Sequence, residues 1–444
     1  MKLHYNDKNI AVSCVVIGLF YMALGPAETV QNIALVESSD IELKVGYYSE
    51  IVKYVGAILA GFVVHPLYKW AGIKVTAIVM TLLGTGLYWA MIWIVNAYVI
   101  YLGAFLTGVG SGAMWIIWPM VIIDNSDSSR AQRNMGIWWV FVSLGIFLGG
   151  LSNFFYFEKV SEISKTNRVM VYSICTGVTV LAALVGGLGI NISRDGLGRG
   201  REFTDLGNPK GRGGAAAVWF KRMSKLPEFW LSFVPLIYWG FMWGFVIKIL
   251  PTATASISNE RNLIPLCTLS LGASCLVGST VWTYISKFLN NTICTIIASC
   301  LAIVAIVLSV LIFPKGAAAA ILDVNTIDTY IEPHPIYIVV ISALIGLADS
   351  GISIIYFSVV GRIYGAGGTS LGYSINNVGF DVFYIMSMFA PSLFDLHSYC
   401  FTVIGTVLVT CVTLTVFLKA YMSGEEEAPQ RLECEEMDSM RELE

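Results

Sequence analysis

Charge is scarce in this sequence. Lys, Arg, Asp and Glu supply 13% of its 444 residues, whereas soluble globular domains carry about 25%. The shortage runs along the whole chain, so an ordinary solvated surface is excluded and a polytopic membrane protein is indicated. Histidine is also rare, with His4, His65, His334 and His397 scattered near the ends of apolar stretches. No HExxH or Walker motif occurs, and the nine cysteines form no CxxC or Cys/His cluster. An odd count of cysteines, nearly all in or beside apolar segments, reads as buried small hydrophobes rather than a disulfide framework or a metal site. These absences point away from an enzyme, a metal centre and a bound cofactor. With a net charge of −3, nothing suggests nucleic-acid binding.

Long apolar runs are what the sequence has instead. Spanning-length segments fall near 10–33, 45–68, 73–94, 97–122, 135–157, 170–190, 229–252, 263–285, 291–313, 335–360, 368–392 and 397–421. The fold class expected from them is an all-α membrane protein with twelve transmembrane helices, numbered here as spans 1 to 12. MKLHYNDKNI leads straight into span 1, which reads as a first anchor rather than a cleaved signal. One long polar interruption divides the spans into two sets of six. The expected organisation is a six-helix bundle over 1–190, a basic Gly-rich linker over 191–228, a second bundle over 229–421 and an acidic tail over 422–444.

Lys and Arg are distributed unequally between the two sides. With the N-terminus in the cytosol, 19 fall on the cytosolic side and 6 opposite, and 11 still exceed 6 when the linker is set aside. Both termini are therefore expected in the cytosol. The two N-x-S/T sequons, at Asn191 and Asn290, then face the cytosol and should not be glycosylated.

The stretch GVGSGA from Gly108 looks at first like a phosphate loop. It lies inside one continuous span, with no strand before it and no βαβ context, so the dinucleotide reading fails. Gly108 and Gly112 are four residues apart on one helix face, a spacing that lets two helices approach closely in lipid.

Local motifs carry a resemblance. AFLTGVGSGA is similar to the glycine motif of major facilitator helix 4, but Ala104 stands where that motif has arginine. GIFLGG is similar to the helix 5 pattern G-P-x-x-G-G, with Ile146 in place of proline, and HPLYKWAGIK keeps Gly72 and Lys74 of the turn after helix 2 without its aspartate. LTGVGSGAMWIIWPMVIIDNSDSSRAQRNMGIWWVF resembles the signature of the Unc-ninety-three-like family of the major facilitator superfamily, nearest its major-facilitator-domain-containing eleven branch. Gly110, Trp115, Asn125, Ser126, Asp127, Arg133, Asn134, Gly136, Ile137 and Trp139 carry the match. ETVQNIAL in span 1 and IGLADSGISIIYFSVVGRIYG in span 10 extend it to both sets of spans, although Ile354 and Ile355 replace Thr-Gln. The resemblance implies a major facilitator fold around a midplane cavity. It also implies an accessory or regulatory subunit of a potassium channel, or an escort of membrane receptors. Fold alone does not fix that role.

Ionisable residues inside spans need partners, because each costs about 2.5–3.5 kcal/mol or more at bilayer depth. Glu50 and Lys53, three apart in span 2, are expected to neutralise each other. Glu28 in span 1 and Lys248 in span 7 are candidates for a charge pair closing the outer side, against simple snorkelling of Lys248. Asp349 in span 10 and Asp381 in span 11 have no local cation. With the amides of Asn376 and Asn377 they could share a proton or bind a monovalent cation, or each could be a protonated structural hydrogen bonder. Asp124, Asp127, Arg130 and Arg133 form a charged hinge between spans 4 and 5, read either as a solvated turn or as a conformational latch. Pro26, Pro119 and Pro235 are expected to bend spans 1, 4 and 7.

Two functional classes follow. One is a non-transporting subunit that binds a channel or receptor within the bilayer, implied by the resemblance and by Ala104 and Ile146. The other is a secondary transporter of a small solute or ion, supported by the twelve-span plan and the intramembrane charges.

Overall fold

A computed structural model describes residues 5–38, 43–93, 96–126, 130–159, 163–190, 224–225, 227–257, 263–286, 288–318 and 329–421. The body of the expected linker, 191–223, and the acidic tail lie outside the described residues. What is described is almost wholly helical. The first six spans are carried by α1 (Tyr5–Ser38), α2 (Leu43–Leu83), α3 (Gly86–Trp93), α4 (Ala97–Asp124), α5 (Ala131–Lys159) and α6 (Lys165–Gly189). The last six are carried by α7 (Pro227–Leu231), α8 (Val234–Gly244), a π-helical turn (Phe245–Ile249), α9 (Leu250–Ile257), α10 (Leu263–Ile285), α11 (Asn291–Ile312), α12 (Pro335–Leu393) and α13 (Leu396–Tyr421).

Helix is the structure that an apolar medium demands, since a spanning segment must satisfy every backbone group internally. Polar side chains within the spans obey the same rule. The hydroxyls of Thr81, Ser143, Thr283 and Ser342 donate back to the carbonyl four residues earlier. The helix starts are capped from the sequence: Asn96 accepts from the Val99 amide, Ser164 from Asn167 and Asn290 from Thr292. Asp395 caps α13 by accepting from the Ser398 amide at 2.7 Å, which holds its carboxyl below the usual carboxylate range.

Among the described residues, ten stretches are long and apolar enough to cross a membrane. Twelve passes arise because two long helical segments turn within themselves. Spans 2 and 3 share α2, which turns at Gly72, where φ is +77° and an L side chain would be strained. Spans 10 and 11 share α12. Tyr356 Oη donates to Asn376 Oδ1 at 3.0 Å, yet twenty residues of straight helix would separate them by about 30 Å. The chain therefore folds back within α12, and its two arms lie side by side. Pro26 and Pro119 sit inside α1 and α4 as expected. Pro235 follows a break within span 7, between α7 and α8. It stands in the first turn of α8, where its missing N–H leaves no bond broken.

The two sets of spans pack against each other along two seams. On one, α5 runs against α10, with Ser143 and Ser279 hydroxyls 2.9 Å apart and Gly272 against the backbone of Phe147. On the other, α2 runs against the second arm of α12, with Gly61 against Val378 and the Asn377 amide donating to the Ala57 carbonyl at 3.3 Å. Exposed apolar side chains such as Leu102, Leu188, Val409 and Val412 cover the outside, as a lipid-facing surface requires.

Candidate functional site

Lys53 is the hub of the largest buried charge cluster among the described residues. It stands in the interior of α2, 3% exposed, where a lone ammonium would be untenable. Its Nζ donates to Glu28 Oε1 of α1 at 2.6 Å and lies 2.6 Å from Glu50 Oε2, one turn earlier on α2. It also sits 4.8 Å above the Tyr54 ring, a cation–π contact. Glu28 is thus held by Lys53, where the sequence suggested Lys248. Lys248 belongs to the π-helical turn of span 7, and its side chain lies outside the described residues. The Glu50–Lys53 pair forms, as one arm of a three-residue arrangement.

The opposite set of spans completes this cluster. Tyr54 stacks on Tyr384 of α12, with centroids 3.8 Å apart. One turn back, Asn377 donates to Asp381 Oδ2 at 2.7 Å, and Asp381 lies in the field of the Lys53 ammonium. Asn376 faces elsewhere. It donates to the Gly372 carbonyl and receives the Tyr356 hydroxyl, so it braces the arms of α12. Nearby, Gln31 donates to the Ser49 hydroxyl at 2.6 Å and ties α1 to α2.

Asp349 is separate from this cluster. It lies on the first arm of α12, 2% exposed, in a small cavity lined by Met242, Trp243, Val246, Leu271 and Ile345. The indole N–H groups of Trp239 and Trp243 stand beside it, but neither carboxyl oxygen has a hydrogen-bond partner within normal geometry among the described residues. No interaction among the described residues joins Asp349 to Asp381, so the carboxyl pair imagined from the sequence does not assemble.

The glycines of α4 and the hinge after it have structural surroundings. A Cβ on Gly108 would overlap the Lys53 carbonyl, and one on Gly112 would lie 2.8 Å from Ala57 Cα. The close approach of α4 therefore seats the turn of α2 that carries Lys53. In the hinge, Asp124, Arg130 and Arg133 are exposed, and Asp127 lies outside the described residues. Amides and a hydroxyl tie it together: Asn134 donates to Ser126 Oγ at 2.7 Å and Asn9 to Asn125 Oδ1 at 3.1 Å.

An aromatic cluster that sequence reasoning did not assemble bridges the two sets of spans. Trp115, Trp138 and Trp139 from α4 and α5 meet Phe357 of α12, which also packs on Trp239 of α8. It lies in the half of the protein nearer Tyr5 and Tyr421, whereas the Lys53 cluster lies in the other half. Ring contacts between distant spans have no local signal in the sequence.

Known proteins share both the sequence pattern and this arrangement. The family model described as "Ion channel regulatory protein UNC-93" matches residues 37–418. UNC93-like protein MFSD11 from Xenopus laevis is 20% identical over 274 residues, covering 58% of this chain and 62% of that protein, and its Xenopus tropicalis counterpart matches equally. The chain thus spans under two thirds of the length of these relatives. Among solved structures, the proton:xylose symporter XylE superposes with a TM-score of 0.68 at 13% identity, covering 94% of this chain and 96% of that one. The major facilitator transporter FucP in its outward conformation gives 0.63 at 14%, covering 93% and 99%. The human organic anion transporter MFSD10 gives 0.61 at 11%, covering 92% and 99%. At these identities the likeness shows the fold, twelve transmembrane helices in the major facilitator arrangement. By the extent of the family match, the chain is a multi-pass membrane protein that belongs to the UNC-93 family.

Proposed function

We propose that this UNC-93 family member is a membrane carrier for a small solute or monovalent cation, working by rearrangement of its two sets of spans about the Lys53 cluster. The observation that carries this reading is one buried ammonium held at 2.6 Å by Glu28 and Glu50 and facing Asp381 across the seam. Burying such ions is expensive, and apolar residues of similar volume would often give equal or greater stability. Charges kept at membrane depth mark ion or substrate pathways. Here the ammonium is paired with two carboxylates of its own set of spans and feels a third, Asp381, from the other, so a change in the relative position of the sets changes its electrostatic surroundings. The solved structures of similar fold are described as transporters and symporters, which agrees with this reading but rests on fold alone.

The second reading is a regulatory subunit of an ion channel or an escort of a membrane receptor. Its specific support is the family model's own description, together with Ala104 and Ile146 at positions where transporters of this fold carry arginine and proline. In either case the Lys/Arg distribution supports cytosolic termini.

Purified full-length protein in vesicles, under potassium or proton gradients read by an entrapped dye, separates the two. Flux that is abolished by Asp381→Asn supports the carrier. No flux under either gradient, with a channel or receptor co-purifying from native membranes, overturns it in favour of the regulatory role.

A further inference from the structure

The Lys53 cluster leaves one buried acid unused. Asp349 is separated from it, is 2% exposed, and has both carboxyl oxygens without a hydrogen-bond partner among the described residues. The same small region holds further orphaned polar atoms: Tyr238 Oη, Trp239 Nε1 and, one turn along α12, Ser353 Oγ. Buried polar groups are nearly always paired, so a cluster of unpaired ones calls for a specific explanation. A second feature marks the place independently. The cavity wall on span 7 includes Val246, which belongs to the π-helical turn Phe245–Ile249. Such turns are rare and concentrate at functional sites.

The lining decides which ligand fits. An alkali or alkaline-earth cation needs several oxygen ligands, and among the described lining residues only Asp349 has a side-chain oxygen, beside a thioether, an indole and alkyl groups, while the Tyr238 and Ser353 hydroxyls are not part of the cavity wall. An anion is excluded by the carboxyl itself. An organic cation would need room that Met242, Leu271 and Ile345 fill. A proton needs one oxygen and no added space, and it removes the charge that the apolar walls do not tolerate.

We propose that Asp349 is a proton-binding site inside the last six spans, distinct from the Lys53 cluster. The step is the transfer of a proton from hydronium to the carboxylate, giving a neutral carboxylic acid and water, with no other bond made or broken. The titratable groups facing it are Tyr238 from α8 and Cys275 from α10, both of which interact with it electrostatically. Lys248 follows on the same π-helical turn, with its side chain outside the described residues. Neutral, the acid can rest in the cavity without a counter-ion. Ionised, it draws the indole N–H groups of Trp239 and Trp243 and water. On the carrier reading, on which this role rests, the proton is the coupling ion. The site itself does not depend on transport.

The test uses the purified full chain in lipid nanodiscs and infrared difference spectra between acid and alkaline buffers. Un-ionised carboxylic acids have a carbonyl stretch that disappears on ionisation. The expected result is a titrating acid band that is missing in Asp349→Asn and displaced but present in Asp349→Glu. Indole fluorescence should follow the same titration in the wild type, and Trp243→Phe should reduce that change. If Asp349→Asn does not fold, the position and titration of the Asp349→Glu band still decide the matter. An acid band identical in wild type and both variants, or no indole response across the range, overturns the proposal. Neither readout requires flux, so a protein that transports nothing can still confirm the proton site, and a protein that transports without this band refutes it.

Discussion

The rings of Trp115 and Phe357 lie nearly parallel, 8° apart with centroids 5.9 Å from each other, one from each set of spans. With Trp138, Trp139 and Trp239 around them, they join the two sets of spans, in the half of the protein nearer Tyr5, by ring contacts rather than by charge. The Lys53 cluster, in the other half, is held by ion pairs.

Phe357→Leu keeps an apolar side chain and removes six ring contacts, four of them to tryptophans, each worth about 0.5–1.5 kcal/mol. The expected outcome is a shift toward arrangements open on the Tyr5 side. Spin labels at Arg130 and Tyr284, exposed at the Tyr5 ends of α5 and α10, should report longer and broader distances. An unchanged distribution would show that the rings only fill space.

Lys53→Met leaves Glu28 and Glu50 buried without their cation. Breaking a buried ion pair from one side costs about 3–5 kcal/mol. The thermal midpoint in detergent should fall accordingly. Adding Glu28→Gln and Glu50→Gln to the same protein should restore most of the loss, because the two carboxylates that bond Lys53 directly are then neutral. A triple variant no more stable than the single one would mean that stem packing, not charge, matters at position 53.

Gly108→Ala places a methyl group on the Lys53 carbonyl, and overpacking of this kind costs about 1–3 kcal/mol. Gly177→Ala, whose Cβ would meet nothing within 4 Å, is the matched control and should change stability only by the helix-propensity gain, at most about 0.5–1 kcal/mol. Comparison of the two midpoints isolates contact from helix propensity. Equal effects would rule out close packing of α4 on α2 as the role of this glycine.

Orientation is accessible to glycosylation mapping. Glu37→Asn creates the sequon N-S-S where α1 ends, on the side expected to face away from the cytosol. Expressed through a secretory membrane, this variant should gain an endoglycosidase-sensitive gel shift, and the natural sequon at Asn290 should stay unmodified. Modification at Asn290 would invert the topology.

Much of the fold was legible before any coordinates. Spanning length, the basic excess on one side and the glycine spacing of α4 are properties of short stretches, and lipid leaves helix as almost the only solution for them. Even the partner of Glu28 left a trace. Glu28 and Lys53 stand equally far from the connection between α1 and α2, centred on residues 40 and 41, so a helical hairpin brings them to one depth. Reading each charge against its own helix neighbours, or against the matching helix of the other set, passed over that symmetry. Asn376 shows the opposite case. One residue from Asn377 in sequence, it points a different way around the helix and joins Tyr356, not Asp381.

The sequence by itself determined that this chain is a twelve-span helical membrane protein and where its helices must touch most closely, because hydropathy and side-chain size act locally. Only the tertiary structure decided that Lys53 is shared between two glutamates, that Asp381 faces it while Asp349 stands apart, and that Trp115 meets Phe357. Those outcomes depend on distances across the seams between helices, and Coulomb attraction and ring contact act through space rather than along the chain.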